Sequence, residues 1–348
     1  MADATFSGQV ASSVRATTVY NAYLSKKFIS NLDPLVTMEK FGMQEPIPLN
    51  AGRTIEFEKV TRLTVADTPI DEGVPPDSTT PANTRIQADL NEYGDYIEFT
   101  NRLKDNAFRN YLVKWAERQR VQMAETRDII IRNNLLSASN TFYANGAAAT
   151  DLDQPIHANL LDNAIRNFQG NSVNFITKMI KGIVDGQQQS IPGCYVCFVH
   201  PDVVADLQSI KGFIQSQHYS QAPLHPGEVG SYKMIRFIST PQMVPYRSTG
   251  LSNVGNDQGA SNATSSGMLS ESGTQNDVYA SILIGADAFT VSKISNESVG
   301  IILKKLGSSG AADPLNQKGT MGWCMDFAVG NTQANAIGLL YHCASKLA

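Results

Sequence analysis

Three groupings of residues in this chain have the types and spacing that could do chemistry. The first is "GSSGAADPLNQKGTMGW", residues 307–323, which sets glycines beside a lysine and a threonine. Those are the ingredients of a phosphate cradle. Such a cradle needs G-x-x-x-x-G-K-[ST], with the lysine after the last glycine and at the start of a helix, so that amides and amine converge on the phosphates. Here the order is Lys318, Gly319, Thr320, and the residues beyond alternate like a strand. The stretch reads instead as a compact turn shaped by its glycines and Pro314. Asp313 and Lys318 are placed to hold it, or a neighbour, by charge, and Trp323 anchors the strand beyond.

The second grouping is "CYVC", residues 194–197, with His200 close by. Side chains alternate along a strand, so the thiols of Cys194 and Cys197 point to opposite faces. Cys324 and Cys343 stand in separate strand-like runs, and no second pair completes a four-ligand metal set. Buried apolar cysteines are the reading. The third grouping, "HYSQAPLHPGE" at 218–228, concentrates polar side chains but is broken by prolines. The remaining histidines, His157 and His342, are scattered, and no G-x-S-x-G nucleophile turn occurs. Asn262 begins a glycosylation sequon that no secretion signal accompanies. No catalytic residue, cofactor or metal ligand follows from these patterns, and a soluble α/β hydrolase is left as an alternative without a visible site.

Charge is more informative. Residues 53–98 carry ten acidic against four basic side chains, and residues 101–136 carry eight basic against four acidic. These are either two solvated faces or an assembly device, one subunit's acidic segment laid on the next subunit's basic one. The residues that would carry such a contact are Glu56, Glu58 and Arg62 on the first segment and Arg109, Arg118 and Arg120 on the second. Asp313 and Lys318 join them as candidates from the loop.

The elements that must position these residues follow from periodicity. Residues 1–50 are polar and weakly periodic, an arm lying on something else or a disordered terminus. Residues 54–65 and 84–100 alternate with period two and read as strands with one wet face. The long proline-bearing connection between them makes the pair an extended hairpin, about 40 Å at the usual rise per residue. Such a ribbon is marginal alone and needs a surface to lie against. From Asn101 to about residue 136 no proline or glycine interrupts, and Phe108, Leu112, Ala116, Met123 and Ile130 recur as an apolar stripe. That predicts a helix of about 50 Å. Shorter helices are expected at 157–170 and 172–189, a buried strand at 194–200, a helix opened by Pro201, and a strand at 232–241. Residues 248–277 are Gly/Ser/Asn-rich and read as a flexible insertion. Strand-like runs return from residue 278 onward.

The whole is 348 residues with a net charge of −4, which gives no global drive toward nucleic acid. Four cysteines fit a reducing compartment. The N-terminal residues lack the pattern of a signal peptide, and no run is long and apolar enough for a membrane span. A soluble protein made inside the cell is expected.

The order of parts, arm, long hairpin, uninterrupted helix, α/β region and returning strands, resembles the major capsid proteins of tailed bacteriophages, the Hong Kong 97-type fold. "GAADPLNQKGTMGW" followed by "NAIGLL" resembles the C-terminal signature of a subgroup akin to the coat protein of phage N4. "VHPDVVADLQ" and "GEVGSYKMIRFISTP" are similar to segments of that subgroup. Cys324 departs from it, since a polar residue is expected after the tryptophan, and 248–277 has the look of a variable insertion.

The resemblance implies an α+β chain with an N-terminal arm at 1–50, an extended β-hairpin loop at 51–100, a peripheral domain with its spine helix at 101–155, an axial domain at 156–290, and strands returning to the peripheral domain at 291–348. It further implies a structural subunit without catalysis, assembling with itself as hexamers and pentamers of an icosahedral phage head around double-stranded DNA. Contact with the packaged DNA would be weak and non-specific. A portal, and scaffolding or decoration proteins, would be further partners, and the chain would be made in the host cytoplasm and end in the virion. An encapsulin-like compartment is the alternative within the same fold; the C-terminal motif favours the phage reading.

Overall fold

The computed structural model describes residues 37–48, 52–60, 63, 65–67, 69, 78–100, 111–146, 148, 151–180, 188–219, 227–246, 262–263, 267–270, 275–294, 301–304, 313–315 and 317–346. Most of the expected arm, the hairpin tip, the first ten residues of the long helix and most of the 248–277 insertion lie outside them.

The strands run in chain order as β1 (Met43–Ile47), β2 (Thr54–Val60), β3 (Asn83–Asp89), β4 (Asn91–Thr100), β5 (Thr141–Tyr143), β6 (Ile176–Ile180), β7 (Gln188–Val199), β8 (Phe213–Gln215), β9 (Glu228–Tyr232), β10 (Ile235–Ser239), β11 (Asn262–Ala263), β12 (Leu269–Ser270), β13 (Tyr279–Ile284), β14 (Phe289–Ile294), β15 (Ile301–Lys304), β16 (Lys318–Asn331) and β17 (Ile337–His342). The α-helices are α1 (Tyr111–Leu135), α2 (Ala158–Gly170) and α3 (Val204–Ser209), and a 3₁₀ turn at Met38–Phe41 precedes β1.

Two compact units result. The first draws its described residues from Glu92–Thr126 and Asn296–Asp326. In it β15 pairs antiparallel with the start of β16, Ile301 opposite Trp323 and Lys304 opposite Thr320, and β4 also pairs with β16. The second unit comprises Pro34–Asn91, Arg127–Ser295 and Phe327–Ala348. Its centre is an eight-stranded sheet in the order β5-β17-β13-β7-β10-β9-β8, with β6 added along β7. The last strand of the chain, β17, therefore stands between β13 and β5 in this sheet. A further ladder in the same unit joins β1 parallel to β14, and β14 antiparallel to the end of β16.

α2 shows how this core forms. Leu160, Leu161, Ala164, Ile165 and Phe168 recur at helical spacing and all are buried. Phe168 meets Tyr195 of β7 edge to face, ring centroids 5.2 Å apart. Truncating such a ring would cost about 3–5 kcal/mol. Pro201 opens a 3₁₀ turn ahead of α3, and His200 caps it by accepting the Asp202 amide through Nδ1 at 3.2 Å.

Four expectations are corrected. The described residues of the segment 172–189 are not helical: Ile176–Ile180 is a strand, antiparallel to β7 with Ile176 opposite Cys194 and Ile180 opposite Gln188. β7 begins earlier than its apolar run suggests, and the ladder it offers takes the β-branched residues of β6. The run 232–241 is not one strand either. It turns back at Lys233, whose φ of 50° is unusual for a residue with a side chain, and β9 and β10 become a hairpin.

The run 84–100 breaks at Leu90. Its first half completes the hairpin with β2, Thr54 opposite Asp89, whereas its second half is β4 and pairs with β16. The hairpin ladder is thus seven residues a side, about 23 Å rather than 40 Å. Leu90 is withdrawn into a small core with Ile47, Ala88 and Ala328, against which Ile55 and Phe57 pack.

The stripe on α1 is also not the expected one. Gln119, Arg127, Asp128, Ile131, Arg132 and Leu135 are the buried residues, whereas Ala116, Met123 and Ile130 are half-buried. Polar side chains with fixed partners occupy the inward face, so hydrophobicity alone misplaces it. Phe108 lies outside the described residues.

Candidate assembly surfaces

The first unit is held by side-chain amides. Gln119 donates to the Met321 carbonyl at 2.8 Å. Gln122 donates to Asp95 Oδ2 at 2.7 Å and accepts from the Trp323 indole at 3.2 Å, so one residue of α1 holds β4 and β16 together. From Gly319 to Phe327 the odd-numbered residues of β16 are buried, Met321 and Trp323 among them, and the even-numbered ones are half-exposed.

The outer face of β15–β16–β4 is a shallow trough of about 620 Å³, lined by Gly94, Asp95, Tyr96, Ile302, Lys304, Thr320, Gly322 and Trp323. Its glycines are required by close approach. A Cβ on Gly322 would fall 2.8 Å from the Asp95 carbonyl, and one on Gly94 would fall 2.7 Å from the Trp323 carbonyl. Tyr96 is 67% and Ile302 53% exposed, so the walls present apolar surface to solvent. Leu303 and Leu315 are exposed too. β15 carries Ile302 and Leu303 at the end of its sheet among the described strands; an open edge of this kind invites pairing with another chain.

The loop that first suggested phosphate binding closes on itself. Asp313 is buried and its Oδ2 accepts the Lys318 amide at 2.7 Å across Pro314 and Leu315. The Lys318 amine pairs with Glu98 at 2.8 Å, and that hydrogen bond raises its pKa. Phe99 covers Gly319, where a Cβ would be 2.6 Å from the ring. Cys324 donates to Glu92 at 2.9 Å, which gives the half-exposed thiol a polar partner where a polar residue was expected.

In the second unit Glu56 and Glu58 are exposed on β2 and held across the hairpin. Glu56 accepts from Gln87 at 2.6 Å, with Arg85 at 3.9 Å, and Glu58 accepts from Asn83 at 2.7 Å. The described hairpin carries Glu56, Glu58, Asp67 and Asp89 against Arg53, Lys59 and Arg85, so it is nearly balanced in charge. Glu92, Asp95 and Glu98, counted with it from sequence, belong to β4. The hairpin also exposes apolar residues, Val60 at 63%, Leu63 at 54% and Val65 at 74%. On α1, Arg118 is half-exposed and Arg120 exposed, while Arg127 and Arg132 are buried and partnered. Arg62 and Arg109 lie outside the described residues.

Sequence reasoning missed Gln119, Gln122 and Asp128. Asp128 alone carried a signal, a polar residue in phase with the buried Ile131 and Leu135 that hydrophobicity scoring discounts; Gln119 and Gln122 lie on another side of the helix.

The pairing nearest to catalytic geometry is Ser281 with His342. Nδ1 of His342 donates to the Cys343 carbonyl at 2.9 Å, so Nε2 accepts, and Ser281 donates to it at 2.8 Å. Both residues are closed to solvent, and burial pushes the imidazole down to about 4. The pair is a satisfied polar link between β13 and β17. Burial pushes the Cys194 thiol up to about 11 and raises Cys197 further, the state of unreactive core cysteines. Among the described residues no group of three His, Cys, Asp or Glu could hold a metal, and no helix is long and apolar enough to cross a membrane.

A long helix, a β-hairpin and a mixed sheet in this arrangement define the α+β Hong Kong 97-type fold of tailed-phage capsids. The cyanophage Pam1 capsid superposes with a TM-score of 0.61 at 13% identity over 100% of both chains. The Ralstonia phage GP4 capsid gives 0.60 at 11%, over 94% of this chain and 97% of that one. The head structure of Helicobacter pylori bacteriophage KHP40 also gives 0.60 at 11%, over 99% and 100%. No curated protein matches the sequence. The profile of the family described as phage capsid protein matches residues 83–288, and the chain belongs to that family. It is a structural major capsid protein, a component of the virion that assembles with copies of itself into a shell.

Proposed function

We propose that this chain forms an icosahedral head around double-stranded DNA, with copies grouped as hexamers and pentamers. In this reading residues 1–50 are an arm, the β2–β3 hairpin an extended loop, α1 a spine helix, and the eight-stranded sheet an axial part to which β17 also contributes. The hairpin lies on another copy, with Glu56, Glu58, Arg118 and Arg120 steering the approach and apolar surface anchoring it. The observation that carries the reading is exposed apolar surface at two places, the hairpin's Val60, Leu63 and Val65 and the trough walls Tyr96 and Ile302. Many such weak contacts sum to a stable container through multivalency.

The subgroup akin to phage N4 rests on the C-terminal motif. Portal, scaffolding or decoration partners, weak contact with DNA and production in the host cytoplasm belong to the same reading. Purified protein imaged by electron microscopy should show closed shells tens of nanometres across; a stable monomer with hydrolytic turnover would sink the reading. Glu56→Lys with Glu58→Lys should lower shell yield while the unassembled chain stays folded. Unchanged assembly would remove these two residues from the contact.

A further inference from the structure

Residues Thr37–Glu39 are clasped to α1 by a buried ionisable cluster that shell geometry alone does not explain. Asp128 Oδ2 accepts the Thr37 amide at 2.8 Å, and Oδ1 accepts the amides of Met38 at 3.1 Å and Glu39 at 3.2 Å. Asp128 and Glu39 are fully buried and Arg127 is 9% exposed. The Arg127 guanidinium donates to Glu39 Oε1 and lies 5.5 Å above the Phe327 ring of β16. The charges facing the cluster are Arg127 from α1, Glu39 and Lys40 from the 3₁₀ turn, and Lys293 from β14. Oε2 of Glu39 is buried without a hydrogen-bond partner.

We propose that Asp128 and Glu39 together take up one proton as solution becomes mildly acidic, and that this proton tightens the clasp on Thr37–Glu39. Two fully buried carboxylates have one buried guanidinium between them, and Lys40 and Lys293 are only half-buried, so desolvation disfavours keeping both carboxylates charged. A proton removes one of the two buried negative charges. Opening the clasp would return Asp128 to water, where a carboxyl group holds its proton less firmly, so proton binding favours the closed form. Burial pushes Asp128 up to about 6 against the opposing pull of three amides and Arg127, and burial raises Glu39 as well. The clasp is therefore tightest in acid and loosens as pH rises through 6. It makes the fastening of the chain just after its first 36 residues depend on pH.

Hydrogen exchange of the segment 37–41 in the full chain, corrected for intrinsic rates, tests this. Protection should rise about tenfold between pH 7.5 and pH 5. Asp128→Asn should abolish the rise, and Glu39→Gln, leaving one carboxylate for one guanidinium, should shift its onset to lower pH. Flat or falling protection in the wild type overturns the proposal, as does an unchanged rise in Asp128→Asn. Should that variant fail to fold, the wild-type curve and Glu39→Gln decide.

Discussion

His342 must stay neutral to remain in the core of the second unit, and acid should expose that requirement. Burial, the leading cause, lowers its pKa from 6.5 to about 4, while the hydrogen bond to the Cys343 carbonyl resists the shift. A group whose folded pKa is depressed contributes stability that is complete above the unfolded value and lost as pH falls through the folded one. The window is therefore pH 6.5 to 4, and 1.36 kcal/mol per unit makes the loss about 3 kcal/mol. Asp128 acts in the same unit with the opposite sign. Its pKa is raised from 3.8 to about 6, so its contribution is complete below 3.8 and lost as pH rises through 6. Lowering the pH from 7.5 to 4 returns about 2 kcal/mol from Asp128 and nearly cancels the histidine's loss. The cancellation should break in His342→Gln, which keeps an acceptor for Ser281 but does not titrate. Urea unfolding of the unassembled chain, followed by far-ultraviolet circular dichroism at several pH values, gives the stability of each protein. The wild-type advantage over His342→Gln should shrink by about 3 kcal/mol between pH 7.5 and pH 4. An advantage that stays constant across that range would refute a buried neutral His342.

Gly319→Ala should destabilise the first unit by about 1–3 kcal/mol, because the added methyl meets the Phe99 ring; unchanged urea midpoints would show that the ring yields freely. Ile302→Asp, at a site 53% exposed, should alter stability by less than about 0.5 kcal/mol yet lower shell yield. Normal assembly of that variant would remove the trough from the contacts of the shell.

Much of the fold was legible because one period ruled each segment. α2 carries apolar residues at helical spacing, and β2, β13, β14 and β17 are short runs bounded by turn residues. Segments with competing signals were not legible. Residues 176–180 have an amphipathic helical pattern that a waiting β7 ladder overrides, and Lys233 makes a turn that no glycine or asparagine announces. The acids grouped at 53–98 fall on two elements for a related reason, since Leu90 enters a core and sends β4 to a different sheet from β3.

The sequence by itself determined the class of protein. The order of its parts and the motif at 307–323 pointed to a tailed-phage capsid subunit, and the wrong order of Lys318 and Gly319 excluded a phosphate cradle. The first conclusion is a resemblance to a known family, carried by those parts and that motif; the second needs only the spacing of neighbouring residues. Tertiary structure alone decided where the loop's charges go, Asp313 to the Lys318 amide and Lys318 to Glu98, and why its glycines are glycines. It also decided which polar side chains of α1 reach distant strands and turns, with Gln122 joining Asp95 to Trp323 and Asp128 clasping Thr37–Glu39. Each of those contacts joins residues far apart in the chain, and the desolvation that gives them their energetic weight exists only once the core has closed around them.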